Sequence, residues 1–217
     1  VMITIDGASS KDLDDAVSLE RDGLGRWVLG VHIADVSHYV RPGSALDLEA
    51  WERGTSVYFA DQVVPMLPRE LSNGICSLNP RVDRLALSCV MTLTPEGEVV
   101  DHTIAKSVIR TTERMTYEDC NALLAHSDPA LAERYARILP MLEDMAALSR
   151  VLEGRRRRRG ALELDTRESY VVCDESGTPV DVVLRTPGIS EGLIESFMLA
   201  ANECVAEHLN RDRKSTR

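Results

Sequence analysis

The run Ala16-Val17-Ser18-Leu19-Glu20-Arg21-Asp22-Gly23-Leu24-Gly25-Arg26-Trp27-Val28-Leu29-Gly30-Val31-His32-Ile33-Ala34-Asp35-Val36 decides the fold of this chain. Its two ends, Ala16 to Leu19 and Trp27 to Val36, mix β-branched and aromatic residues with polar alternates, which is strand patterning. Between them Asp22-Gly23-Leu24-Gly25 supplies turn chemistry, with glycines free to take positive φ. The simple reading is a β-hairpin. Working outward, Ile3 to Asp6 is a further strand upstream. Arg84 to Thr94 and Glu98 to Arg110 are two more, joined by the turn signal Pro95-Glu96-Gly97.

From Thr116 the period changes. Thr116-Tyr117-Glu118-Asp119 opens a short helix, and Asp128-Pro129 is an N-cap followed by proline at the first helical position. The apolar set Leu131, Tyr135, Ile138, Leu142, Met145, Leu148 and Leu152 keeps helical spacing, with Pro140 expected to kink it. Residues 169 to 185 return to strands around Asp174-Glu175-Ser176-Gly177, and a last helix runs from about Ser190 to Leu209. Earlier in the chain, Ser44-Ala45-Leu46-Asp47 starts a short helix through Arg53, with Gly54 placed to end it. Strands gathered first and helices later suit an α+β fold.

Residues 55 to 83 hold Pro65, Pro68, Asn73, Gly74, Asn79 and Pro80 with little periodicity and read as a long ordered loop. The run Arg155 to Arg159, bounded by Gly154 and Gly160, reads either as a solvated loop between helix and strand or as a track for phosphates.

The chain has 217 residues, 44% of them hydrophobic, enough for one substantial core. No run approaches the roughly eighteen apolar residues of a bilayer span. The start at Val1 lacks the basic flank of a signal peptide. Cys76, Cys89, Cys120, Cys173 and Cys204 are odd in number, scattered and set among apolar neighbours, which argues against disulfides and for a reducing cytoplasm. The net charge of −10 sits awkwardly with nucleic-acid binding, which relies on Lys and Arg neutralising phosphates.

Chemistry concentrates in Thr4-Ile5-Asp6-Gly7-Ala8-Ser9-Ser10-Lys11-Asp12-Leu13-Asp14-Asp15-Ala16, where four carboxylates fall within ten residues. A solvated acidic loop is one reading. The apolar strand before Asp6, together with Leu13 and Ala16-Val17, instead puts these carboxylates at the margin of a core, where they need a counter-charge. A hard divalent cation with oxygen ligands supplies one. The spacing lacks the glycine and terminal glutamate of a calcium loop, which favours magnesium or manganese. Hydrolysis of a phosphodiester suits such a site, since two ions about 4 Å apart hold both the attacking and the leaving oxygen. His32, Asp35 and His38 also invite a metal reading, but His32 and Asp35 have opposite strand parity, and a buried hydrogen-bonded role fits them better.

Three ordered motifs carry a family resemblance: Thr4-Ile5-Asp6 with Lys11-Asp12-Leu13-Asp14-Asp15-Ala16-Val17, then Val31-His32-Ile33-Ala34-Asp35-Val36-Ser37-His38-Tyr39-Val40, then Val64-Pro65-Met66-Leu67-Pro68-Arg69-Glu70-Leu71-Ser72 continuing to Cys76-Ser77-Leu78. Together they resemble the catalytic RNB domain of the ribonuclease II and ribonuclease R exoribonucleases, with the closer likeness to the ribonuclease R branch. Further likeness lies in Arg84-Leu85-Ala86-Leu87-Ser88, in Arg159-Gly160-Ala161-Leu162, and in Glu195 with Ala200-Ala201-Asn202. The resemblance spans residues 1 to 210, which are expected to be the N-terminal portion of that domain, and implies its α+β fold, a mixed, largely antiparallel sheet flanked by helices, while 211 to 217 read as a cloning tail.

The resemblance implies processive, metal-dependent hydrolysis of single-stranded RNA from a free 3′ end, releasing 5′ nucleoside monophosphates. Position by position, it makes Asp6, Asp12 and Asp15 ligands of Mg²⁺, with Mn²⁺ as the alternative ion, and Asp14 the aspartate most directly needed for cleavage. Tyr58 and Tyr117 resemble the tyrosines that contact the last nucleotides. Glu195 resembles the acidic residue near the leaving nucleotide. Aromatic faces suit an enzyme that advances on any sequence, because stacking is worth roughly 1 to 3 kcal/mol per base whatever the base. The family's domain continues well past residue 217, with an arginine-bearing segment for the scissile phosphate, and OB-type modules flank it. Basic surface on those parts would account for the −10 charge. A non-catalytic RNA-binding relative of the same fold is the alternative function, disfavoured because it has little reason to keep four mutually repelling aspartates.

Overall fold

The computed structural model describes residues 1–60, 62–162, 168–174 and 176–211. Its centre is a six-stranded sheet built from β1 (Ile3–Asp6), β2 (Asp15–Arg21), β3 (Trp27–Ala34), β6 (Arg84–Leu93), β7 (Val99–Ile109) and β8 (Glu113–Thr116). The spatial order is β7-β6-β3-β2-β1-β8, antiparallel throughout except for the parallel pair β1–β8. The hairpin of β2 and β3 forms in the register its alternation predicts, Val17 opposite Val31 and Leu19 opposite Leu29. At the turn, the Asp22 carboxylate accepts from the backbone of Leu24 and Arg26. Gly25 takes φ 76°.

One face of the sheet carries the main core. Ile3, Ile5, Val17, Leu29, Val31, Met91 and Met115 meet the helices α3 (Tyr117–Leu124), α5 (Leu139–Arg158) and α6 (Ile189–Arg211), which contribute Leu123, Leu142, Met145, Leu148, Leu193 and Phe197. The opposite face carries a smaller core of Leu13, Ala16, Ala34, Cys76, Leu78, Ala86 and Ile109. This is the α+β arrangement expected from the sequence. The predicted caps form as well: Ser44, Thr116 and Asp128 each accept a backbone N–H three residues ahead. Ser44 opens α2 (Ala45–Arg53), which ends at Gly54 with φ 71°, and Asp128 opens α4 (Pro129–Arg134).

Several expectations need correction. The apolar run from Leu131 is two helices, because α4 stops at Tyr135; Pro140 falls in the first turn of α5, where a missing N–H costs nothing, and so helps start a helix instead of kinking one. The arginines read as a loop are helical through Arg158: arginine is a good helix former, and positive charge favours the last turn. Residues 55 to 83 are not a plain loop. They hold a short hairpin of β4 (Val57–Tyr58) and β5 (Val63–Val64) and a π-helical turn at Glu70–Ile75. Val36 leaves the strand to begin α1 (Val36–Tyr39). The second hairpin, β9 (Glu168–Cys173) with β10 (Pro179–Arg185), forms as expected. Glu175 of its turn, and residues 212–217 of the expected tail, lie outside the described residues. Among the described residues no helix is long and apolar enough to cross a membrane.

Candidate metal centre

Two strand pairings bring the acidic residues together. Ile3 pairs with Val17, so β1 and β2 run antiparallel and the end of one returns beside the start of the other, setting Asp6 against Asp14 and Asp15. The parallel pairing of Asp6 with Thr116 then starts α3, and with it Tyr117, next to Asp6.

The connecting loop is held from two sides. On one side, buried Ser77 donates its hydroxyl to the Lys11 carbonyl at 2.9 Å and accepts the Leu13 N–H at 3.1 Å. The Leu78 N–H adds a bond to the Leu13 carbonyl, and Arg84 donates to the Ser77 carbonyl at 2.8 Å. Leu13, 1% exposed, plugs the smaller core between the flanking aspartates. An apolar residue inside an acidic run is thus the anchor of the loop. On the other side, Arg114 of β8 donates one guanidinium nitrogen to the carbonyls of Gly7, Ala8 and Ser10 at 3.2, 2.9 and 2.8 Å.

The carboxylates themselves are poorly satisfied. Oδ2 of Asp6 and Oδ2 of Asp15 are buried with no hydrogen-bond partner. Loss of hydration, reinforced by the charge of Asp15, raises Asp6 to about 7, against the opposing pull of Arg114. Burial and then Asp14 raise Asp15 to about 6. Asp14, the exposed member, is raised by desolvation and by Asp12. Asp12 accepts a hydrogen bond from the Tyr58 hydroxyl at 3.2 Å, which brings the β4–β5 hairpin onto the cluster. The ring of Tyr58 remains 66% exposed. The charges of Asp15 and Asp14 thus act on Asp6, that of Asp14 on Asp15 and that of Asp12 on Asp14, yet among the described residues no three acidic, histidine or cysteine side chains close into a ready-made ion cage. Buried carboxylate oxygens without partners are what a divalent cation would satisfy, and this donor set of hard oxygens fits Mg²⁺.

The structure assembles Asp6, Asp12, Asp14, Asp15 and Tyr58, with Tyr117 one residue past the Asp6 pairing. Among the described residues no hydrogen bond or ion pair joins Glu195 to them; its exposed carboxylate meets Arg156 at 3.4 Å between α6 and α5. α3 and α6 are linked by the Ser190 hydroxyl, which donates to the Tyr117 carbonyl at 3.1 Å, and by Asn121, which accepts from the Ser190 N–H at 2.9 Å and donates to Glu191 at 3.2 Å. Sequence reasoning missed Arg114 and Ser77. Neither lies in the acidic run, and only the strand register and the π-helical turn bring them to it.

His32, Asp35 and His38 do not add a second centre. His32 shares hydrogen bonds with Ser88 at 2.6 Å and with Ser18 at 3.4 Å, and burial lowers it to about 4. Gly30 is required here, since a Cβ would lie 2.5 Å from the Ser18 hydroxyl and 2.6 Å from the His32 ring. Asp35 is held by Ser37 at 2.6 Å and Lys106 at 3.0 Å, which keep its carboxyl below the usual range.

Comparison with known proteins gives this site a setting. The RNB domain family model matches residues 1–216. The chain is 56% identical over 208 residues to "Ribonuclease R 1" of Lactococcus lactis, covering 96% of this chain and 25% of that protein. It is 50% identical over 208 residues to ribonuclease R of Thermotoga maritima, covering 95% and 29%. The structure superposes on Mycoplasma genitalium RNase R in complex with ribose methylated single-stranded RNA with a TM-score of 0.90 and 32% identity, over 98% of this chain and 33% of that one. The chain thus spans about a quarter of the length of the curated relatives it matches.

Proposed function

Because the chain belongs to the RNB domain family, we propose that it forms the metal-binding portion of a processive 3′→5′ exoribonuclease that hydrolyses single-stranded RNA to 5′ nucleoside monophosphates. The observation that carries this reading is the pair of buried, unpartnered oxygens on Asp6 and Asp15, in a loop held so that the two carboxylates stay together despite their repulsion. A structural acidic loop has no use for that cost.

Asp6, Asp12 and Asp15 are the ligands in this reading, with Mg²⁺ preferred and Mn²⁺ as a substitute. The bound ion supplies Lewis-acid stabilisation of the phosphoryl oxygens and lowers the pKa of the attacking water. Asp14, most open to solvent of the four, orients that water. Tyr58, whose hydroxyl reaches Asp12, and Tyr117, which opens α3 and packs partly against the main core, are the aromatic residues that stack against the terminal bases in this reading, gripping RNA without reading its sequence. The Tyr58 hydroxyl also fixes Asp12, tying the position of the base to that of a ligand. Glu195 serves the leaving nucleotide from α6, where its pairing with Arg156 sets its direction. The RNA-bound Mycoplasma relative supports the choice of substrate.

The test is product analysis on an oligoribonucleotide labelled uniformly along its length, using the intact protein. Mononucleotides should appear with Mg²⁺, disappear with chelator, and fall to background in Asp14→Asn while RNA retention on a filter persists. Full turnover in Asp14→Asn would remove the assignment. Retention of RNA with no mononucleotide release by the unaltered protein would favour a non-catalytic relative.

A further inference from the structure

Arg114 is a cation of β8 built against the acidic loop from outside it. It sits on β8 beside Thr4, in the parallel register that ends at Asp6 and Thr116. Every hydrogen bond found for it among the described residues ends on the loop: on Gly7 at 3.2 Å, Ala8 at 2.9 Å and Ser10 at 2.8 Å. These are backbone carbonyls, so the side chain is not spent on neutralising one aspartate in a closed ion pair. Its charge nevertheless reaches Asp6, where it opposes the effect of burial. The Ser10 N–H bonds back to the Gly7 carbonyl at 3.0 Å, so the guanidinium caps a tight turn whose two ends lead to Asp6 and Asp12.

We propose that Arg114 is a positioning residue for the divalent cation: it preforms the Gly7–Ser10 turn and sets the affinity of the aspartates for the ion without touching it. The inference rests on the metal reading of the aspartates given above. A guanidinium suits the task because it stays charged and, being weakly hydrated, can set one terminal nitrogen among three backbone carbonyls. It gathers the carbonyls behind the ligands, leaves the carboxylate oxygens of Asp6 and Asp15 free for the ion, and offsets part of their repulsion before the ion arrives. Lysine keeps the charge, but its strongly hydrated ammonium on a flexible stem is held less firmly against those carbonyls.

The experiment is calorimetric titration of Mg²⁺ into the intact protein and its Arg114→Met and Arg114→Lys variants, with amide exchange in chelator measured alongside. Residues that orient metal ligands typically change affinity about 10- to 100-fold when removed. Arg114→Met should therefore bind Mg²⁺ at least about tenfold more weakly, with Arg114→Lys intermediate. The Gly7–Ser10 amides should exchange faster while those of β3 and β6 keep their protection. Unchanged Mg²⁺ affinity in Arg114→Met overturns the inference. If Arg114→Met does not fold, the folded Arg114→Lys decides: weaker binding supports the role and wild-type binding overturns it. Absence of Mg²⁺ binding by the unaltered protein removes the metal reading itself, and Arg114 with it, which is a different result from equal binding by all three.

Discussion

Two groups of polar side chains lie one step apart on the same strands: Asp15 pairs with Ile33, and Ala16 pairs with His32. Around His32, each buried polar group finds a partner. The ring meets Ser18 and Ser88, Ser88 meets Ser107 at 2.6 Å, and nearby Asp35 meets Ser37 and Lys106. Around Asp15 the reverse holds: carboxylates crowd together, two oxygens have no partner, and the neighbours hold the backbone instead of the charges. The satisfaction of their hydrogen bonds is what sets these groups apart chemically. The first group completes the scaffold, and the second is incomplete by itself.

The largest expected effects break the framework of the incomplete group. Leu13→Ala should destabilise the protein by about 2 to 5 kcal/mol in chemical denaturation, because it leaves a cavity where the loop is anchored. Ser77→Ala strands the buried Leu13 N–H and should cost about 1 to 3 kcal/mol in the same measurement. Next come two equivalent substitutions of opposite sign. Asp35→Asn loses a charged hydrogen-bond acceptor and should lower stability by about 1 to 2 kcal/mol. Asp6→Asn relieves repulsion and should raise the thermal midpoint of the metal-free protein at pH 8. Equal signs would erase the distinction between the two groups.

The same comparison is sharpened by pH dependence. Asp6 and Asp15 have raised folded-state values, about 7 and about 6 against 3.8, so the folded chain holds protons that the unfolded chain has released. Metal-free stability should thus fall as pH rises from about 4 to 7. His32 is lowered to about 4 from 6.5, so its contribution is full above 6.5 and is lost as pH falls through that window. Its slope opposes that of the aspartates. His32→Gln should steepen the decline with pH in a urea-midpoint series, and a shallower decline would contradict the values assigned to these groups.

Much of this was legible in sequence because it is local. The hairpin of Ala16 to Val36 follows from alternation about a glycine turn, and Ser44, Thr116 and Asp128 cap their helices through side chains three residues from the bond they accept. The acidic run stood out by composition, and Leu13 within it hinted at a core. What escaped was non-local. The pairing of β1 with β8 joins Ile3 to Glu113 across the whole central sheet segment, and no periodicity announces a parallel partner so far away. Arg114 and Ser77 are invisible as loop-holding residues until that pairing and the π-helical turn are formed. Pro140 and the arginines of α5 misled for another reason: proline and charged runs read as breaks, yet both are at home in the first and last turns of a helix.

The most direct test of the central claim is the thermal midpoint of the intact protein with and without Mg²⁺, at pH 8 and at pH 5, beside the Asp6→Asn and Asp15→Asn variants. The expected result is a marked rise with Mg²⁺ at pH 8, a smaller one at pH 5 where protons compete for the same carboxylates, and little in either variant. A midpoint unmoved by Mg²⁺ at pH 8, or moved equally in all three proteins, would contradict a metal centre at Asp6 and Asp15.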